Sequence, residues 1–356
     1  MGGKVTHTPW VISDRGGVIE NRHQVHAAVV DAKGKLLFYV GGPSRVTLIR
    51  SAAKPAQALA VLETPGFDQC GFDDADLALM CASHNSEEMH IVRAREILIK
   101  AGAKEENLRC GGHAALSETV NRNWIKSDYT PTAVCSNCSG KHAGMLAATK
   151  AIDADVTSYH HEKHPIQQRV KRAVEECSGL DPGDIHWATD GCNLPAPAMP
   201  LQSLATTYAT FAAAADDYDS DKFTSTRTRA LSRIFHAMGD YPELVGGTDR
   251  FCTVLMRAFQ GSLIGKLGAD GCYGIGIRAS EQTARLGAEG GIGISVKIED
   301  GSIPILYCAV VEILHQLEIG SPDMREELDG FHHLAISNTA GVVTGHVVPA
   351  FQILAV

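Results

Sequence analysis

The chain has no uninterrupted apolar run of about 18 residues, the length a membrane-spanning helix needs. Its start, Met1-Gly2-Gly3-Lys4-Val5-Thr6, lacks an apolar stretch behind a basic one, so no secretory leader is expected. It has no surplus of positive charge either: 32 Lys and Arg face 41 Asp and Glu, a net charge of −9. That balance argues against nucleic-acid phosphates and anionic membrane surfaces as partners, because both call for clustered cations. No internal repeat is visible. A cytoplasmic protein acting on a small or zwitterionic substrate is the expectation. The ten cysteines then read as reduced thiols, buried or metal-bound, rather than a disulfide framework. Met-Gly followed by Thr6 matches the loose myristoylation pattern, with no polybasic run to support it.

What is present is an ordinary globular composition, 44% apolar and 21% charged, over 356 residues, enough for one large domain. His26–Asp31 and Lys35–Val40 flank a Gly34 turn and predict a hairpin within a β-rich stretch from about 10 to 42. Helices are expected after Ser51, over 74–80, 87–101, 142–150, 164–177, 198–215, 226–239 and 303–317. Asn85 with Glu88 resembles a capping pair for the 87–101 helix. Residues 216–222 read as a solvated loop, and 273–278, 291–297 and 341–354 as strands. Strands at both ends with helices between predict an α/β (α+β) fold with a sheet built from both chain ends. The expected division is a single catalytic domain, with a sheet lobe over 1–45 and 250–356 and a helical lobe over 46–249.

Three short motifs fall in order along the chain. Ser51-x-x-Lys54 opens a helix, Ser83-His84-Asn85 lies between two helices, and Gly265-Lys266-Leu267-Gly268 precedes the glycine-isoleucine strands. Each alone reads as a cap or turn. A desolvated lysine, however, has its charged form disfavoured and becomes a base for a nearby hydroxyl. Ser-x-x-Lys, Ser-x-Asn and Lys-x-Gly in this order is the pattern of serine β-lactamases and penicillin-binding proteins, with His84 in place of Asp and Leu267 in place of Thr. Two Ser–Lys pairs, Ser51 with Lys54 and Ser83 with Lys266, suit acyl transfer and point to amide hydrolysis. Backbone N–H groups at the start of the Ser51 helix are candidates for stabilising an oxyanion.

The thiols carry a second signal. Cys135-Ser136-Asn137-Cys138 is followed closely by His142, and Asp190-Gly191-Cys192-Asn193 places another thiol in a turn. Ligand chemistry alone suggests zinc on three or four of Cys135, Cys138, His142 and Cys192, against buried thiols in tight turns. A redox Cys-x-x-Cys lacks its βαβ setting. His160-His161-Glu162-Lys163-His164 is not a zinc-protease motif and reads as surface; Gly274-x-Gly276 has no helix behind it to bind a dinucleotide.

With Ser51-x-x-Lys54, Ser83-His84-Asn85, Cys138-Ser-Gly-Lys141-His142, Asp190-Gly-Cys192-Asn193 and Gly265-Lys266 assembled, the chain resembles the rhizobial type of the L-asparaginase II family. The resemblance implies a serine β-lactamase-like fold and hydrolysis of L-asparagine by a homodimer. It also implies two Ser–Lys tandems at Ser51–Lys54 and Ser83–Lys266, and a zinc held by Cys138, Lys141 and Cys192. A lysine ligates only as the neutral amine. Ser51 is the expected nucleophile with Lys54 as its base, and Ser83 and Lys266 assist. Arg50, for a carboxylate, and Asp190, for the substrate ammonium or for orienting the metal ligand Cys192, are the expected substrate-binding residues, with plain structural salt bridges as the alternative. The rival readings are another serine-type amidase of the β-lactamase or D-peptidase kind, revealed by hydrolysis of a chromogenic cephalosporin, and a zinc-thiolate binding protein in which Ser51 has no role.

Overall fold

The computed structural model describes residues 8–222 and 224–356; the Met-Gly start lies outside them. It is a mixed α/β structure. Strands β1 (Trp10–Arg15), β2 (Val18–Asp31) and β3 (Leu36–Val40) come from the N-terminal end. A short β4 (Val46–Leu48), β5 (His186–Thr189) and β6 (Pro195–Pro200) form a separate three-stranded sheet in the order β4-β6-β5. Strands β7 (Leu263–Gly268), β8 (Cys272–Ile277), β9 (Ile292–Ile298), β10 (Ala335–Ser337), β11 (Val343–Ala350) and β12 (Leu354–Ala355) complete the main antiparallel sheet.

The length of β2 organises that sheet. Its first half pairs with β1, which in turn carries β11 and β10. Its second half, from Val25 to Asp31, pairs with β9, and through it β8 and β7, while β3 lies on its other side. The Gly34 hairpin forms with Val29 opposite Phe38. One strand serving two sets of neighbours requires the sheet to curl.

The alternation of glycine and isoleucine in β8 and β9 has a packing cause. The helix Leu201–Asp219 lies against β2, β8 and β9. A Cβ on Gly293 would stand 1.8 Å from the Ala205 carbonyl oxygen, and one on Gly276 would stand 2.4 Å from that of Tyr208. Only glycine lets helix and strand backbones approach this closely. Ile275, Ile294 and Val296 are fully buried on the same strands, and helix Ile303–Gln316 also packs on β9.

Three expectations are corrected. Helix Leu201–Asp219 continues through Asp216–Asp219, where a loop was expected; Arg278 pairs with Asp216 and Asp219 and ties that last turn to the sheet lobe. The 46–249 segment is not all helical, since it contains the β4-β6-β5 sheet. Asn85 does not cap the following helix: Ser86 turns the chain at φ 65°, and Glu87 occupies the capping position with no side-chain bond. Among the described residues, no helix is long and apolar enough to cross a membrane.

Candidate active site

Four segments distant in sequence meet at one pocket and in the buried layer behind it: Arg50, Ser51, Cys138, Asp190 and Cys192 line the pocket, while Ser83 and Lys141 lie behind. Strand β4 ends at Leu48, and Arg50, at φ 51°, turns the chain into a 3₁₀ turn, Arg50–Ala53. The helix Lys54–Leu62 follows with Pro55 in its first turn, where a missing N–H costs nothing. The second segment, Ser83–Ser86, leaves helix Asp74–Met80 and is fixed by a bond from the Ser83 amide to the Val245 carbonyl (3.0 Å). The third is Cys138 and Lys141 at the start of helix Ser139–Ala151. The fourth is the turn between β5 and β6, closed by Asp190 N–H to Leu194 O at 2.8 Å, with Asn193 at φ 69°. Because β4 and β5 flank β6, this small sheet sets the Ser51 turn beside Asp190 and Cys192.

The lysine pairing differs from the one read off spacing. Lys54 Nζ donates to Ser83 Oγ at 3.0 Å, to the Asn137 carbonyl at 3.2 Å and to the Ala82 carbonyl. Lys266, on β7, reaches the same hydroxyl at 2.8 Å and the Leu267 carbonyl at 2.7 Å. Ser83 thus sits between two wholly buried lysines, and no Ser51–Lys54 hydrogen bond occurs among the described residues. Burial, reinforced by the Lys54 and Arg250 charges, pushes the Lys266 ammonium down to about 7.

His84, at the position where the pattern has Asp, is a structural anchor. Its Nδ1 accepts from the Ser86 amide (3.2 Å), so Nε2–H donates to Ser139 Oγ (2.9 Å), and its ring stacks on His90. Burial, with His90 and Lys54 nearby, holds it neutral, well below the ordinary imidazole range.

The pocket beside Ser51 has a volume of about 220 Å³ and is walled by Arg50, Ser51, Asn137, Cys138, Asp190 and Cys192, among others. That is below the roughly 300–1,000 Å³ of drug-sized sites and suits a small substrate. Arg50 and Asp190 meet each other: Nε lies 2.7 Å from the Asp190 carboxylate, and a terminal nitrogen lies 2.5 Å from Asp270. Burial raises the Asp190 pKa, but Lys141 and Arg50 outweigh it and hold the carboxyl below its usual range.

Lys141 Nζ lies 3.4 Å from Cys192 Sγ and 3.3 Å from Gln57 Oε1. A hydrogen bond from Cys138, aided by the Lys141 charge, brings Cys192 down to about 6 against the effect of burial. The same bond, with burial, drives Cys138 up to about 12. Burial disfavours a charged Lys141, yet Cys192, Cys138 and Asp190 together hold it above its ordinary value. The other two thiol-region candidates are engaged elsewhere: His142 Nδ1 with the Tyr159 hydroxyl at 2.6 Å, and Cys135 Sγ with the Tyr129 hydroxyl at 3.2 Å.

Some participants have no motif to announce them. Gln57 is buried and bonds Lys141. His113 lines the pocket, with Nδ1–H donating to Ala114 O and Nε2 accepting from the Asn137 amide (3.0 Å). Ala52 N–H is taken by Ile49 O, so that amide of the Ser51 turn is not free for an oxyanion.

A pocket lined by a serine, beside a hydroxyl bonded to two buried amines, holds the groups that acyl transfer through a serine and a lysine base calls for. Residues 11–349 match the family described as L-asparaginase II, and the chain belongs to that family. Membership carries asparaginase-type amidohydrolase activity with it. No curated protein matches the chain.

Proposed function

We propose that this protein hydrolyses L-asparagine to L-aspartate and ammonia, with Ser51 as nucleophile and Lys54, Ser83 and Lys266 as its proton relay. The observation that carries the reading is Ser83 held by both buried lysines, 3.0 and 2.8 Å away, next to the pocket that Ser51 lines. A hydroxyl has one proton, so it donates to one amine while accepting from the other. With Lys266 near neutrality in its titration, its free lone pair takes the Ser83 proton. Ser83 then takes one from Lys54, and the neutral Lys54 amine, freed from Ser83, turns toward Ser51 to receive its proton as Oγ attacks the side-chain amide carbon. Returned through Lys54 to the amide nitrogen, that proton lets ammonia leave, and water hydrolyses the ester. The Arg50–Asp190 pair offers both charges at the pocket wall, complementary to the α-carboxylate and α-ammonium of an amino acid.

Zinc fits the residues of the second cluster. Two thiol sulfurs and an amine, all buried, meet with Lys141 Nζ 3.4 Å from Cys192 Sγ, a donor set that zinc accepts. Cys138, Lys141 and Cys192 would hold it, and a bound ion supplies Lewis acidity at the pocket wall. The order of the Ser-Lys, Ser-x-Asn and Lys-x-Gly segments, the last on a strand, supports a β-lactamase-like arrangement.

The test is ammonia release from L-asparagine by the purified protein, with Ser51→Ala and Ser83→Ala alongside and hydroxylamine added to trap an acyl-enzyme. Loss of at least about 10²-fold in both variants, with hydroxamate formed only by proteins retaining Ser51, supports the relay. Full activity in Ser51→Ala refutes it.

A further inference from the structure

We propose a second divalent-metal site remote in sequence from the pocket, in which His315, Asp329 and His332 bind a borderline transition ion of the zinc class. His315 is near the end of helix Ile303–Gln316, and Asp329 and His332 are three apart on the short helix Asp329–His332. One imidazole nitrogen from each histidine and a carboxylate oxygen of Asp329 lie within 4.8 Å of one another, close enough to share one ion. The two rings stack at 4.9 Å between centroids and 18° between planes.

The hydrogen bonding points the same way. His332 is only 4% exposed, and its Nδ1 is buried without a partner, as is His315 Nε2. Buried ring nitrogens without partners are unfavourable unless something binds them. His332 Nε2 lies 2.8 Å from Glu312 Oε2, so the ring donates there and keeps an unshared lone pair on the buried Nδ1. A carboxylate behind an imidazole is the arrangement that fixes the tautomer and raises the basicity of metal-ligating histidines. Arg325 is the nearby cation, but its guanidinium donates to the Ile319 and Gly320 carbonyls, and Glu312 and Asp329 supply two carboxylates against it. Two imidazoles and one carboxylate favour zinc-like ions over calcium or magnesium, which take oxygen ligands. Bound there, the ion would tie helix Ile303–Gln316 to the segment that leads into β10 and β11, closing the loop between them.

The probe is Co²⁺, titrated into dialysed full-length protein without an affinity tag and followed by visible absorption and thermal midpoint. The Cys138→Ser/Cys192→Ser double variant removes the thiols proposed for the pocket, so uptake there reports the new site alone. The expected result is one equivalent per chain and a raised midpoint. Glu312→Gln weakens binding about 10–100-fold, and His315→Gln and Asp329→Asn weaken it at least as much. Should the double variant not fold, equivalents are counted on the parent and on Asp329→Asn, whose site is exposed; a drop by one supports the proposal. No stoichiometric uptake in the double variant, or unchanged affinity in Asp329→Asn, overturns it.

Discussion

Lys266→Met removes an amine that the fold keeps from titrating as it does in water, and it should stabilise the protein while silencing it. Burial brings Lys266 from 10.5 down to about 7. At about 1.4 kcal/mol per tenfold, that is on the order of 4–5 kcal/mol between charging it in the site and in the unfolded chain. The sign follows from proton counting. Between the folded and unfolded values the unfolded chain binds more protons, so the stability of the parent rises with pH through that window and is lowest below about 7. Methionine removes the whole cost and leaves the Leu267 carbonyl without its 2.7 Å bond, a loss of roughly 1–3 kcal/mol. The variant should therefore be about 1–4 kcal/mol more stable at pH 5.5. Its advantage should shrink by about 2 kcal/mol by pH 8.5; Cys192, at about 6, titrates in the same window but in parent and variant alike, so it drops out of the difference. Urea unfolding at both values measures this. Ammonia release should fall by about 10²–10⁴, and in the parent kcat/KM should climb about tenfold per pH unit up to about 7 before levelling. A variant less stable at pH 5.5, or an advantage that grows with pH, refutes the buried-amine account; retained activity refutes the relay.

Gly293→Ala sets a methyl 1.8 Å from the Ala205 carbonyl oxygen, so the helix on the sheet must shift; a loss of about 3 kcal/mol or more is expected in denaturant melts. Arg50→Lys cannot span Asp190 and Asp270 as the guanidinium does, and KM for asparagine should rise about tenfold with a smaller change in kcat. If the proposed zinc binds at Cys138, Lys141 and Cys192, its uptake at pH 7.5 should release about two protons, since Lys141 and Cys138 must each give one up while Cys192, at about 6, is already a thiolate. Calorimetry in buffers of different ionisation enthalpy counts them; Lys141→Met should lower the count by one, and an unchanged count removes Lys141 from the ligand set.

Periodicity and punctuation are local, and what they express was readable. The Gly34 hairpin, the helix behind Ser51 and the glycine-isoleucine strands each state their conformation within a dozen residues. Strand β6 does not: Pro195, Pro197 and Pro200 interrupt a six-residue segment, and proline argues against a strand that is paired on both sides. The same small sheet brings Arg50 to Asp190, so missing it hid the geometry of the pocket while leaving its residues in view. The capping pair at Asn85 failed for a related reason. A cap read from spacing assumes that the chain enters the helix directly, and Ser86 at φ 65° diverts it.

The lysines show where residue spacing stops being informative. Ser51 and Lys54 stand three apart, which on a regular helix makes them neighbours. Here Ser51 belongs to a 3₁₀ turn and Lys54 to the helix that follows, and all three donors of the ammonium are used on Ala82, Ser83 and Asn137. A buried ammonium goes where acceptors are, and those acceptors come from loops that only the tertiary fold brings near. Lys266 illustrates the converse. No local feature gives it a role except a loose Lys-x-Gly; its chemistry comes from being wholly buried on β7 opposite Lys54, where one hydroxyl serves two amines. Motif order thus brought the four residues into view, while their pairing is a property of packing: burial on β7, more than any neighbouring charge, lowers Lys266, and burial is what a motif three residues long does not state.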